Sequence, residues 1–269
     1  MPNTASVTPW ENPLRCRVRQ GEPVFGLTMT TTSLDIAVRA ASVGFDFLWV
    51  EMEHSPITLE TLRHIVLATQ ALPAVPLARV PVNEIWMAKR VLDAGVHGVV
   101  FPFTSTPELA RQAAVACRYP PRGRRGSGAE LATACWPEPD CYHDSADRNI
   151  MVVAVVEEVA ALEHLDAIAA TEGVDVLFLG SGDLSFSLGL RGRQDDPRIE
   201  EAARAVSAAA RRHGKIAGRI VATPGQAKAS IEDGFLFFQT VSELGLIEAG
   251  ARQFLAPLGR GPTPLAQRS

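Results

Sequence analysis

The sequence predicts a parallel α/β fold closed into a (β/α)8 barrel, on three observations. Short apolar runs alternate with segments of helical period, eight such runs can be counted, and they are too apolar to have a solvated face. A length of 269 residues suits one such barrel, which commonly occupies about 250 residues. One domain is therefore expected over residues 1–269, with a short N-terminal extension. A doubly wound open sheet also alternates, but no GxGxxG follows the first strand, and eight serial units favour closure.

The first strand is VFGLTM, residues 24–29, followed by a helix over 33–43 with Ser33 as its N-cap. The next three strand and helix pairs are 45–50 with 58–70, 75–80 with 83–94, and 98–101 with 106–117. A Pro-, Gly- and Arg-rich stretch over 118–149 is too long for an ordinary connection, which predicts a lid or a piece of an oligomer interface. The pattern reopens with a strand over 151–156, a helix over 159–170 and a sixth strand over 174–179. Residues 215–220 and 234–240 complete the eight, separated by a helix that begins near Pro224, where proline suits the first turn. The tail PLGRGPTPLAQRS, about 257–269, reads as a mobile end.

Composition narrows the function classes. A 46% hydrophobic fraction is enough for a large core, and a formal net charge of −4 leaves no overall basic field for nucleic acid, despite the local cluster Arg122, Arg124 and Arg125. Cys16, Cys117, Cys135 and Cys141 form no CxxC pair and no zinc spacing, so reduced cytoplasmic thiols are expected. Neither an apolar signal core nor a run of bilayer length occurs, which predicts a soluble, unexported chain without a membrane partner.

In such a barrel, chemistry sits at the C-terminal ends of the strands. There the sequence places Glu51-Met52-Glu53-His54 after the second strand, Arg79 after the third, Glu157-Glu158 after the fifth, and Gly180-Ser181-Gly182-Asp183 after the sixth. Each has an ordinary reading. Glu157 can complement a helix dipole, Asp183 can cap a helix, Arg79 can pair with Glu51, and the glycines can be a strand-to-helix turn. Two carboxylates at neighbouring strand ends, however, call for a cation, and a hard divalent ion leaves positions free for a bidentate 2-oxo acid. Glycines around a helix start also let backbone N–H groups approach a carboxylate.

Arg79 is placed to steady an enolate oxygen, and His54 suits proton transfer because imidazole titrates near working pH. Such a histidine needs an orienting carboxylate. Asp93 is a candidate, but a barrel puts that helix end away from its own mouth, so it fits only across a boundary between subunits. Of the lysines, Lys89 and Lys228 fall on helices and Lys215 alone suits a Schiff base. Histidines 64, 97, 143, 164 and 213 read as surface or packing residues.

The strings GFDFLWVEMEHSP, PLARVP, LDAGVHGVVFP, RYPPRGRRG, VVEEVAALEHLDAIAATEGVDVLFLGSGDLS and GKIAG together resemble the HpcH/HpaI class II aldolases, from about residue 24 to 250. The resemblance implies a TIM barrel of the phosphoenolpyruvate/pyruvate type whose last helix packs on a partner subunit, commonly in a hexamer. It implies Mg²⁺, Mn²⁺ or Co²⁺ held by Glu157 and Asp183, catalytic roles for Arg79 and His54, and Asp93 acting across the subunit boundary. Glu51 and Asp93 then orient Arg79 and His54, and the backbone at Gly180, Ser181, Gly182 and Asp183 holds the substrate carboxylate. The implied reaction is reversible cleavage of a 4-hydroxy-2-oxo acid to pyruvate, or a close 2-oxo acid, and an aldehyde.

Thr28 stands where many members have Trp, Glu51 where Asp is usual, Met52 replaces Gly, and Gly-Ser-Gly-Asp replaces Gly-Pro-Ala-Asp. These departures predict an altered substrate pocket. Arg219 replaces an aliphatic residue and either binds an acidic aldehyde or faces outward. The competing functions are a citrate-lyase-like or decarboxylating enzyme with the same enolate chemistry, and a non-catalytic metabolite-binding barrel.

Overall fold

The computed structural model describes residues 9–261. Helix α1 (Pro13–Arg19) precedes β1 (Val24–Met29), α2 (Leu34–Ser42), β2 (Phe47–Glu51), α3 (Leu59–Thr69), β3 (Val75–Arg79), α4 (Ile85–Asp93), β4 (Gly98–Phe101) and α5 (Pro107–Ala116). The long connection folds into α6 (Glu130–Thr133), a 3-10 turn (Pro139–Cys141) and α7 (Tyr142–Asn149). The chain continues through β5 (Met151–Val156), α8 (Val159–Glu163), α9 (Leu165–Ala169), β6 (Val176–Leu179), α10 (Ser181–Ser187), α11 (Pro197–Arg212), β7 (Ile216–Ile220), α12 (Pro224–Glu232), β8 (Phe235–Ser242) and α13 (Glu243–Leu255). All eight strands are parallel, each pairs with the next in sequence, and β8 pairs with β1 to close the barrel.

One element differs from the sequence expectation. The helix expected over 159–170 is broken at His164 into α8 and α9. The eight serial units imply a helix between the sixth and seventh strands without giving it bounds, and the 16-residue α11 fills that place, with Asp196 capping it by accepting from Arg198 N at 3.1 Å. Its buried face, Ile199, Ala202, Ala203, Val206, Ala209 and Ala210, recurs at helical spacing, so the signal for this helix is present in the sequence.

The barrel interior explains why certain strand ends face the mouth. Phe47 stacks on Phe237 with centroids 4.6 Å apart, and Trp49 lies 5.0 Å from Phe178. Gly26 makes room for this packing, because a Cβ there would stand 2.0 Å from the Phe47 ring. Trp49, Leu77 and Val155 belong to this interior cluster. Side chains two residues further along a strand share its face, so Glu51, Arg79 and Glu157 project inward at the mouth.

The 118–149 connection leaves from the C-terminus of α5, at the end of the barrel opposite the mouth. Trp136 Nε1 donates to Gly95 O at 3.1 Å, Arg118 Nη2 to Ile150 O at 3.1 Å, and Asn149 Nδ2 to Trp10 O at 3.0 Å. It therefore closes the N-terminal end of the barrel together with the chain entering α1, and it is not a lid over its own mouth. Of the tail expected to be mobile, Ala256–Leu258 forms a 3-10 turn, and residues 262–269 lie outside the described residues. Among the described residues no helix is long and apolar enough to cross a membrane.

Candidate active site

Arg79 is the centre of the mouth. Its Nη1 donates to Glu51 Oε2 at 3.4 Å, while Nη2 lies 2.5 Å from Glu53 Oε2 and 3.6 Å from Glu157 Oε2. All four side chains are at least largely buried. The expected pairing of Arg79 with Glu51 is present, and Glu53 joins it as a residue to which the sequence assigned no role. The signal for Glu53 was available, since it follows Glu51 by two residues at the same strand end.

Glu51 organises the turn that carries His54. Its Oε1 accepts from the backbone N–H groups of Glu53 at 2.8 Å and His54 at 3.1 Å, and Oε2 accepts from Trp49 Nε1 at 3.1 Å. The His54 imidazole is 60% exposed, with Nε2 3.6 Å from Glu53 Oε2. The structure thus brings His54 beside Glu53, not beside Asp93.

Glu157 is held from the other side. Phe103, whose backbone is left-handed at φ 47°, donates its N–H to Glu157 Oε1 at 2.6 Å. Gly180 packs on the same carboxylate: a Cβ at 180 would stand 2.7 Å from Glu157 Oε2, so the carboxylate fits there only because none is present. Asp183 lies in the first turn of α10, whose N-cap is Gly180, so it does not cap that helix. Ser181 is buried, and its hydroxyl donates to Gln194 Oε1 at 2.7 Å. Around Gly182 a Cβ would meet nothing within 4 Å, so the backbone there is open.

Negative charge is in excess here. Burial pushes the Glu157 carboxyl up to about 7, with repulsion from Glu53 and Asp183 added, against the pull of the Phe103 N–H and Arg79. Burial likewise pushes Glu53 up to about 7, with Glu51 and Asp183 adding to the effect and Arg79 opposing it. Glu53 Oε2 is shielded from solvent and receives no hydrogen bond among the described residues, since the close Arg79 contact lies outside hydrogen-bond geometry. Four carboxylates against one guanidinium, with an orphaned oxygen, form a donor set that suits a hard cation. Among the described residues no three His, Cys, Asp or Glu side chains stand together in an arrangement that could hold a metal, so the site offers two protein ligands at most. Oxygens from Glu157 and Asp183 leave the remaining positions to water or substrate.

The other marked residues fall elsewhere. Asp93 ends α4, at the opposite end of the barrel, where Oδ1 accepts from Arg125 Nη2 at 3.0 Å. Lys215 precedes β7 at that same end, donating to Thr171 O at 3.0 Å and Val174 O at 2.9 Å, so it is remote from the mouth. Arg219 faces outward, pairing with Glu200 at 2.9 Å over the Phe235 ring. Thr28 faces the interior, where Gln239 Nε2 donates to its hydroxyl at 3.0 Å and the hydroxyl donates to Thr240 O at 2.8 Å.

The family described as HpcH/HpaI aldolase/citrate lyase matches residues 25–248. The chain belongs to this family. It is 32% identical over 256 residues to the hydroxypyruvate/pyruvate aldolase of Cupriavidus necator, covering 95% of each chain. To the 2-keto-3-deoxy-L-rhamnonate aldolase of Salmonella gallinarum it is 35% identical over 227 residues, covering 84% of this chain and 85% of that one. Among solved structures it is similar to an HpcH/HpaI aldolase/citrate lyase family protein from Burkholderia cenocepacia, with a TM-score of 0.85, 31% identity, and coverage of 93% and 100% of the two chains. The protein is thus an HpcH/HpaI enzyme of the carbon–carbon lyase kind, on the barrel fold expected for it.

Proposed function

We propose that this HpcH/HpaI protein is a divalent-metal aldolase that reversibly cleaves a 4-hydroxy-2-oxo acid to pyruvate, or a close 2-oxo acid, and an aldehyde. The observation that carries this reading is the convergence of Glu51, Glu53 and Glu157 on the Arg79 guanidinium, with Asp183 in the same field. Glu157 and Asp183 are the proposed ligands of Mg²⁺, Mn²⁺ or Co²⁺. When bound, the cation supplies Lewis-acid charge next to the 2-oxo group.

The chain's own groups do the rest. Arg79 Nε, buried and without an acceptor among the described residues, and the two Nη groups place positive charge where the carbonyl oxygen becomes an enolate oxygen. The open backbone at Gly182 and the first-turn N–H groups of α10 face the substrate carboxylate. His54 takes the proton of the 4-hydroxyl as the C3–C4 bond breaks, the bond's electron pair passing to C3 as the enolate while the aldehyde leaves. A proton added at C3 gives pyruvate, and in condensation His54 returns its proton to the new 4-alkoxide. Glu51 positions both Arg79 and the His54 backbone.

Asp93 belongs to this reading only across a subunit boundary, where its carboxylate would orient the imidazole of a second copy. Self-association, as a hexamer by the resemblance, is part of the proposal. It is supported by α13, where Leu244, Ile247 and Phe254 are exposed and Glu243 is the buried residue.

The deciding experiment is pyruvate release from a panel of 4-hydroxy-2-oxo acids, first in EDTA and then with Mg²⁺, Mn²⁺ or Co²⁺ restored. Turnover lost in EDTA and regained with metal is expected, and undiminished turnover in EDTA overturns the reading. Faster loss of CO2 from oxaloacetate than aldehyde release would favour a decarboxylase instead.

A further inference from the structure

The 118–149 connection buries a charge for which the barrel's own stability gives little reason. The Arg125 side chain is fully shielded from solvent, yet its Nε and Nη1 meet no acceptor among the described residues. Only Nη2 is engaged, donating to Asp93 Oδ1 at 3.0 Å and to Tyr142 Oη at 2.8 Å. Its Cζ stands 4.6 Å from the Tyr119 ring centroid and 5.5 Å from that of Tyr142. A buried ion pair that is incompletely hydrogen-bonded contributes little or nothing compared with apolar residues of similar size. Such a guanidinium is better understood by what it does to its partner.

The cradle is rigid. Tyr142 meets Trp136 edge-on at 5.2 Å, Trp136 stacks on the buried His97 at 4.7 Å, and Trp10 contacts both at 5.5 and 5.3 Å. The Trp136 indole also holds the carbonyl of Gly95, two residues beyond Asp93. One stack therefore locks both the guanidinium and the turn that follows the aspartate. The Asp93 side chain nevertheless stays 22% exposed. Asp93 Oδ2 accepts no hydrogen bond among the described residues and is not among the buried unpartnered atoms, so it meets solvent, with Gly128 beside it where a Cβ would stand 3.8 Å away.

We infer that Arg125 is a positioning residue for the reaction: by taking Oδ1, it holds the Asp93 carboxylate with Oδ2 outward, ready to accept from the imidazole of a second copy. This rests on the proposed role of Asp93 between subunits. Lysine cannot reproduce the arrangement, because its ammonium cannot lie flat against Tyr119 and Tyr142 while reaching both Oδ1 and Tyr142 Oη.

The test is pyruvate release at saturating Mg²⁺ for Asp93→Asn, Arg125→Lys, the double variant and Tyr142→Phe, with KM and metal affinity measured alongside. Arg125→Lys and Asp93→Asn should lower kcat by similar factors, roughly 10- to 100-fold, with KM and metal affinity little changed. The double variant should fall no further, since residues acting as a unit are not additive. A slow Asp93→Asn beside a wild-type kcat for Arg125→Lys, or losses that multiply in the double variant, overturns the role of Arg125. Wild-type turnover by Asp93→Asn overturns the intersubunit reading itself. If Arg125→Lys does not fold, Tyr142→Phe decides: a lowered kcat at unchanged KM supports the inference, and unchanged turnover overturns it.

Discussion

Gly180 and Glu157 share one space: a Cβ on the first would lie 2.7 Å from both Cβ and Oε2 of the second. The carboxylate cannot retreat, because Phe103 N–H holds its other oxygen at 2.6 Å. Gly180→Ala should therefore displace Glu157 and weaken metal binding by roughly 10- to 100-fold, at a stability cost of about 1–3 kcal/mol. Isothermal titration with Mn²⁺ and a urea melt check the two effects, and unaltered metal affinity would show that the contact has no functional consequence.

Arg79→Lys tests the planar fork. One ammonium cannot reach Glu51 and Glu53 together and also keep an N–H for substrate, so kcat should fall by about 100- to 1000-fold, as when a preorganised donor is removed. Steady-state pyruvate release at saturating metal measures it. A loss confined to KM would assign Arg79 to ground-state binding only.

The raised carboxyls make stability depend on pH. Glu53 and Glu157 stand near 7 in the fold against 4.5 for the free side chain, so the folded chain binds more protons than the unfolded chain between those values. Their contribution is fully present below 4.5 and is lost as pH rises through 7. His97 acts in the opposite sense: burial lowers it to about 4 from 6.5, so its contribution is present above 6.5 and is lost as pH falls through 4. Comparing wild type with Glu53→Gln cancels the histidine. In EDTA the variant should gain Tm relative to wild type at pH 8 but not at pH 5, and saturating Mg²⁺ should shrink the gain. Equal differences at both pH values would contradict the assignment.

Trp136 joins the aromatic stack to the Gly95 carbonyl and is itself buried. Trp136→Ala should cost about 3–5 kcal/mol, read as a lowered urea midpoint. The loss is expected at the end of the barrel opposite the mouth, so Mn²⁺ binding by the folded fraction should be unchanged.

Much of the mouth was legible along the chain. Glu51, Arg79 and Glu157 each end an apolar run, and the period of two carries them inward from Trp49, Leu77 and Val155. The sequence left open whether Arg219 reaches the mouth. One residue decides it: Gly218 takes the inward position, where a Cβ would stand 2.8 Å from the Phe178 ring, and Arg219 is turned toward Glu200. The long connection was seen as unusual, but its partners were not visible, because Arg125 meets Asp93 across 32 residues and Trp136 meets Gly95 across 41.

By itself, the sequence determined the barrel, the order of its strands and the polar residues at their ends, since these follow from local period and from the inward alternation of each strand. Only the tertiary structure decided that a backbone N–H from Phe103 holds Glu157 and that Arg125 claims one oxygen of Asp93. Those pairings join elements far apart in the chain. No local period encodes them, and they exist only when burial forces charged groups to find partners inside the packed fold.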